Sequence, residues 1–165
     1  GKAAVYSGLL KFTQNDTGLA VVLGHEVAHA IAGHGNERMS QGLVAQMGAV
    51  ALAAALSQQP AATQALFNQA YGVGANVGFL LPYSRLHESE ADHMGLIFMA
   101  MAGYDPRAAV TLWEKMGKVG GSGSPQFLST HPAPENREKR LAELVPQMMP
   151  YYEQKGTRPT YQLRG

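Results

Sequence analysis

The feature that most constrains this chain is the run His25-Glu26-Val27-Ala28-His29, an HExxH pattern set inside a stretch with helical apolar spacing. Leu19, Val22, Leu23, Val27, Ala30 and Ile31 recur at helical intervals, Asp16 or Thr17 can cap the start, and Gly33 to Gly35 can stop it. The spacing therefore predicts a helix over about 18–33. Four residues advance a helix by about 400°, which stacks His25 and His29 on one face, within reach of a single zinc ion. Glu26 lies one position along, beside such a metal and not on it. There it can take a proton from a metal-activated water and return it to a leaving amine.

The absence of cysteine sharpens this. With no Cys in 165 residues, thiolate nucleophiles, disulfides and Cys-ligated metals are excluded, so any metal must be held by the six His and by carboxylates. Thirteen Lys and Arg against twelve Asp and Glu leave a formal net charge of +1, which gives no field to attract nucleic acid, and no nucleic-acid partner is expected. The 45% of apolar residues is enough to fold, and the length suits one domain over 1–165. The longest apolar run, Gly42 to Leu56, is interrupted by Gln46 and falls short of the roughly 20 residues of a membrane-spanning helix. It is expected to be a buried helix, with no transmembrane segment in the chain.

Further helices are expected over about 37–57, ended by Pro60; over 61–81, weakened by Gly72, Gly74 and Gly78; over 84–102 and 106–118; and from Pro134 to about Val145. Gly117 to Pro125 has the composition of a flexible loop, and residues 150–165 that of an irregular tail. Before the first helix, Val5-Tyr6 with its apolar neighbours suggests a short strand closing at Ser7-Gly8.

A zinc site of this kind needs a third ligand. His34 is a candidate, but the extended pattern HExxHxxGxxH would place Gly at 32 and His at 35, where this chain has Ala32 and Gly35; His34 lies about 140° round the helix from His29, so it is expected to be a cap or surface residue. Glu88 and Glu90 are the carboxylate candidates. Glu88 shares a helix face with Asp92, four residues on, so that one can bind the metal while the other orients a ligating His. Glu90 is expected to point elsewhere, and His87 and His93 to have packing or surface roles. Met39, Met47, Met94, Met99 and Met101 are expected as core filler.

Taken together, HEVAHAIAGHG, SRLHESEADHMG and STHPAPENR resemble the zinc metallopeptidase family that contains the CAAX prenyl protease, HtpX and the soluble periplasmic proteases BepA and LoiP, over about residues 3–145. The resemblance implies an α+β, mainly helical, gluzincin-like domain with a small N-terminal β region. It implies one zinc ion on His25, His29 and Glu88, with Glu26 as catalytic base and Asp92 as the carboxylate behind the ligands. It also implies His131 near the metal, stabilising an oxyanion or capping the zinc at rest, with Arg137 matching the Arg that follows. Val5, Tyr6 and Ser7 are similar to an edge strand that pairs with an extended substrate backbone, a mode largely independent of side-chain identity.

By the same resemblance the chain is closest to the soluble BepA- and LoiP-like members, without the helical repeats of BepA. The implied role is a metalloendopeptidase of envelope protein quality control, acting on unfolded or misassembled proteins, in the periplasm or at the outer membrane of a bacterium. The family's domain usually begins further upstream, so an absent N-terminal segment and membrane association through it are expected. The competing reading is a zinc-stabilised client-binding module, non-catalytic or held shut by His131; the intact Glu26 speaks against it.

Overall fold

The structure, a computed structural model, describes residues 2–79, 84–118, 127–131, 136–156 and 158–163. The helices are α1 (Ser7–Thr13), α2 (Asp16–Ile31), α3 (His34–Leu56), α4 (Ala61–Phe79), α5 (Arg85–Met101), α6 (Ala108–Lys118), α7 (Phe127–Thr130) and α8 (Arg137–Glu153). The central helix α2 starts close to where its apolar spacing predicts. Its cap is Asn15, one residue earlier than the expected pair, whose side chain accepts from the Gly18 amide at 2.7 Å.

The N-terminal β region is not found. Among the described residues the only β pairing is an isolated bridge between Asn15 and Gln162, and Ser7–Thr13 is helical. Leu9 and Thr13, four residues apart, both turn inward, so helical burial of that pair wins over the weak alternation read as a strand. Val5, Tyr6 and Ser7 are exposed ahead of and at the start of α1, and the edge strand that suggested a substrate-binding role for them is absent.

Two other boundaries differ. Helix α8 runs on through Pro146 and Pro150 to Glu153, so the expected irregular tail starts later. Pro146 deprives the Ala142 carbonyl of its helical partner, but Ala142, Pro146 and Pro150 are all exposed, where water serves instead. The expected start at Pro134 and most of the Gly117–Pro125 loop lie outside the described residues.

The core is a cluster of α2, α5, α6 and α8 side chains, among them Val21, Val22, Leu96, Met99, Trp113, Met116, Leu141 and Met148. Helices α2 and α5 approach most closely at Gly24 and Gly95. A Cβ on Gly95 would lie 2.8 Å from the His25 amide nitrogen and 3.0 Å from the Gly24 carbonyl carbon, so backbone touches backbone there. Gly95 stands three and seven residues after Asp92 and Glu88, on the same face, so this contact brings both carboxylates over His25. Because main chain cannot swing aside, Gly95→Ala should destabilise the fold by about 1–3 kcal/mol, or more where α5 cannot shift. Urea unfolding checks this, and an unchanged midpoint and slope would contradict the crossing.

The Gly42–Leu56 run is not buried. Leu43, Val44, Met47 and Val50 are each more than 60% exposed. The core is already filled by the other helices, and α3 leaves it to pair with α4, where the Tyr71 hydroxyl donates to the Ala45 carbonyl. Counted as a whole helix, α3 is long and apolar enough to cross a membrane by length and composition, contrary to the expectation from the Gly42–Leu56 run alone. No Asp, Glu, Lys or Arg occurs between Arg38 and Arg85, so the entire α3–α4 hairpin beyond Arg38 is uncharged. The methionines divide accordingly: Met99 is in the core, whereas Met39, Met47 and Met101 are exposed.

Candidate metal centre

His25 and His29 project from the inner face of α2, one turn apart, and both are buried. Opposite them, α5 begins at Ser84, whose hydroxyl accepts from the His87 amide at 3.1 Å, and this fixes the first turn carrying Glu88. His131 enters from the residue after α7. The four side chains converge: one ligand atom from each of His25, His29, Glu88 and His131 lies within 4.8 Å of all the others. Glu88 Oε2 is 3.2 Å from His25 Nε2 and Oε1 is 3.2 Å from His29 Nε2. The two imidazole Nε2 atoms are 3.0 Å apart, and His131 Nδ1 is 2.9 Å from Glu88 Oε1.

Glu26 sits at the rim with its side chain 44% exposed, and its Oε1 is 3.1 Å from His131 Nε2. His131 thus touches the buried carboxylate with one ring nitrogen and the rim carboxylate with the other. Behind His25, Asp92 Oδ1 accepts from Nδ1–H at 3.0 Å, which leaves the Nε2 lone pair directed at the cluster. Arg137, fully buried, donates through Nη2 to the same Asp92 oxygen, places Nη1 3.4 Å from Glu88 Oε2, and lies over the Trp113 ring. One guanidinium therefore faces both buried carboxylates.

The electrostatics follow from this crowding. Burial acts to raise the pKa of Glu88, but hydrogen bonds from His131, His25 and His29 outweigh it and hold the carboxyl far below the usual carboxylate range. Burial likewise works against a charged His25, yet Asp92 and Glu88 bring its pKa above the ordinary histidine value. His29 is pushed down by burial and by the neighbouring His25 and His131, despite Glu88. The donor set is three imidazoles and an ionised carboxylate, all of them buried. Lone pairs packed this closely call for a cation, and nitrogen and oxygen donors in this number suit a zinc-sized ion.

Every residue expected near a metal is brought to this point: His25, Glu26, His29, Glu88, Asp92, His131 and Arg137. His34, Glu90 and His87 join them against expectation. His34 is buried, with Nδ1 2.8 Å from His29 Nδ1 and Nε2 3.3 Å from Glu90 Oε2. His87 stacks on His34, ring centroids 4.3 Å apart, and its Nε2 lies 2.9 Å from Glu37 Oε2. The angle assigned to His34 assumed that α2 continues past Ile31. The helix instead stops there, and Gly33, at φ 74°, redirects the chain so that His34 folds back over His29. That stop was visible in the glycines themselves. His93 is exposed, as expected.

A family model, Peptidase family M48, matches residues 1–145. The chain belongs to peptidase family M48. Among curated M48 relatives, the mitochondrial metalloendopeptidase OMA1 of Arabidopsis thaliana is 40% identical over 144 residues, 87% of this chain and 27% of that protein. OMA1 of Schizosaccharomyces pombe is 39% identical over 149 residues, 89% of this chain and 42% of the relative. The beta-barrel assembly-enhancing protease of Escherichia coli is 30% identical over 159 residues, 91% of this chain and 32% of the relative. The chain therefore spans less than half the length of each of these M48 proteins. No solved structure matches it.

Proposed function

We propose that this chain is the catalytic domain of a zinc-dependent metalloendopeptidase, with His25, His29 and Glu88 as ligands of one zinc ion and Glu26 as general base. The observation that carries this is the buried convergence of His25, His29, Glu88 and His131 beside a solvent-facing Glu26, within a chain of family M48. A zinc ion there would polarise a scissile carbonyl and acidify a water molecule.

Glu26 is placed to accept the proton of the attacking water and hand it to the leaving amine. Asp92 holds His25 in the tautomer that presents Nε2, and Arg137 balances the charge of Asp92 and Glu88. His131 carries an N–H into the same space and can stabilise the negative charge that develops on the substrate oxygen. Its contacts with Glu88 and Glu26 also support a capped resting form, in which a substrate has to displace the ring.

The substrates we propose are unfolded or misassembled proteins, in keeping with the endopeptidase names of the relatives. The proposed setting is an envelope compartment, periplasmic or at the outer membrane of a bacterium. The E. coli relative supports that setting, while the OMA1 relatives are named as mitochondrial. The uncharged α3–α4 hairpin, with Leu43, Val44, Met47, Val50 and Leu66 exposed, supports a position against a membrane or another apolar surface.

Incubation of the protein with unfolded casein, with and without a chelator, tests the activity. Cleavage should stop with the chelator and return when zinc is added back. Cleavage that persists in the chelator would sink the zinc mechanism. A protein that binds zinc but never cleaves, even with His131→Ala, would favour the client-binding alternative.

A further inference from the structure

We infer that His34 and Glu90 are positioning residues for the metal centre, setting the tautomer and ring orientation of His29 as Asp92 sets those of His25. This rests on the metal-site reading above. A histidine that ligates through one ring nitrogen needs its proton on the other, and that proton needs an acceptor when buried. For His25 the acceptor is a carboxylate in direct contact. At His29 the group that meets Nδ1 among the described residues is a second imidazole: His34 Nδ1 is 2.8 Å away.

The direction of this pair is fixed from its far end. Glu90 as a carboxylate only accepts, so His34 Nε2 carries the proton toward it, 3.3 Å away. In the neutral His34 ring Nδ1 is then the bare nitrogen and accepts from His29 Nδ1–H, which leaves the His29 Nε2 lone pair on the side of Glu88 and His25. The chain of bonds runs from the cluster through His29 and His34 to a half-exposed carboxylate. Its parts come from three helices: His29 is in the last turn of α2, His34 opens α3, and Glu90 lies on α5 between Glu88 and Asp92.

The His34 ring is itself held. His87 stacks on one side of it and is tied by Nε2 to Glu37, in the first turn of α3. His87 also directly precedes Glu88, so the contact that fixes the His34 ring anchors the turn that presents the ligand carboxylate. Left-handed Gly33 is what allows α3 to start over His29.

Zinc affinity, measured by competition with a chromogenic chelator on the full chain, tests the inference with a readout separate from turnover. His34→Ala should weaken zinc binding by about 10–100-fold, the usual effect of losing a partner of a ligating histidine. His34→Asn, whose side-chain carbonyl can still accept from His29, should recover a large part of that loss. Glu90→Gln, at an exposed position where misfolding is not expected, should fall between parent and His34→Ala. The cobalt-substituted forms should show the same order in the shift of their visible absorption bands. Affinities within twofold of the parent for both His34→Ala and Glu90→Gln would overturn the inference. So would a loss of thermal stability in the metal-free His34→Ala protein with no change in affinity, which would make His34 a packing residue. A parent that takes up no zinc would overturn the metal site itself, and this inference with it.

Discussion

Glu26→Gln should lower kcat/KM on an unfolded protein substrate by about 10²–10⁴-fold, the range contributed by a positioned general base, while zinc content stays at the parent level. The amide has the shape of the carboxylate but cannot accept the proton of the attacking water. The side chain stands at the rim, 44% exposed, and Gln keeps an oxygen that can accept from the buried His131 Nε2, so stability should be little changed. The loss should appear mainly in kcat, because the residue acts on the reaction and not on substrate binding. A variant that keeps activity within threefold would place the base elsewhere. A variant that loses zinc together with activity would make Glu26 part of the ligand set.

The second large effect concerns Arg137. In the metal-free protein its guanidinium is the cation facing the buried Asp92 and Glu88, bonded to the first and 3.4 Å from the second. Arg137→Met keeps an unbranched apolar side chain against Trp113 but leaves two buried carboxylates without that charge. Removing one partner of a buried ion pair costs about 3–5 kcal/mol, so the metal-free variant should lose stability on that scale in urea unfolding. Zinc should restore part of the loss, since a dication at Glu88 supplies charge from the other side. Arg137→Lys should be intermediate, because a single ammonium lacks the fork that reaches both carboxylates. A loss below about 1 kcal/mol in chelator would show that the Arg137 contacts contribute little, as exposed pairs do.

Much of the centre was legible in the sequence because it is written in helix periodicity. The i, i+4 spacing of His25 and His29, and of Glu88 and Asp92, places each pair on one face whatever the rest of the fold does. His131 and Arg137 carry no such local signal; family resemblance alone singled them out, and their contacts are made across the fold, by the residue after α7 and by the first residue of α8 reaching Glu26, Glu88 and Asp92. His34 was misjudged because its position depends on a single left-handed residue, Gly33, after which helical angles no longer apply. The N-terminal strand failed for a different reason: a strand is made by its partner, and the extended residues 158–163 spend their backbone bonds on Gln14, Asn15 and Asp16, beyond Val5 and Tyr6. The α3 run illustrates the limit of composition. Apolar residues with no charge nearby read as core, but the core was complete without them, and which surface they meet is decided outside this chain's own packing.

The measurement closest to the central claim is the zinc content of the purified protein after exposure to zinc and removal of excess, compared with Glu88→Gln. One zinc per chain in the parent, and a large loss in the variant, is the predicted result. A parent with near-zero zinc at neutral pH, or a Glu88→Gln protein that holds zinc as firmly as the parent, would contradict the assignment of this centre.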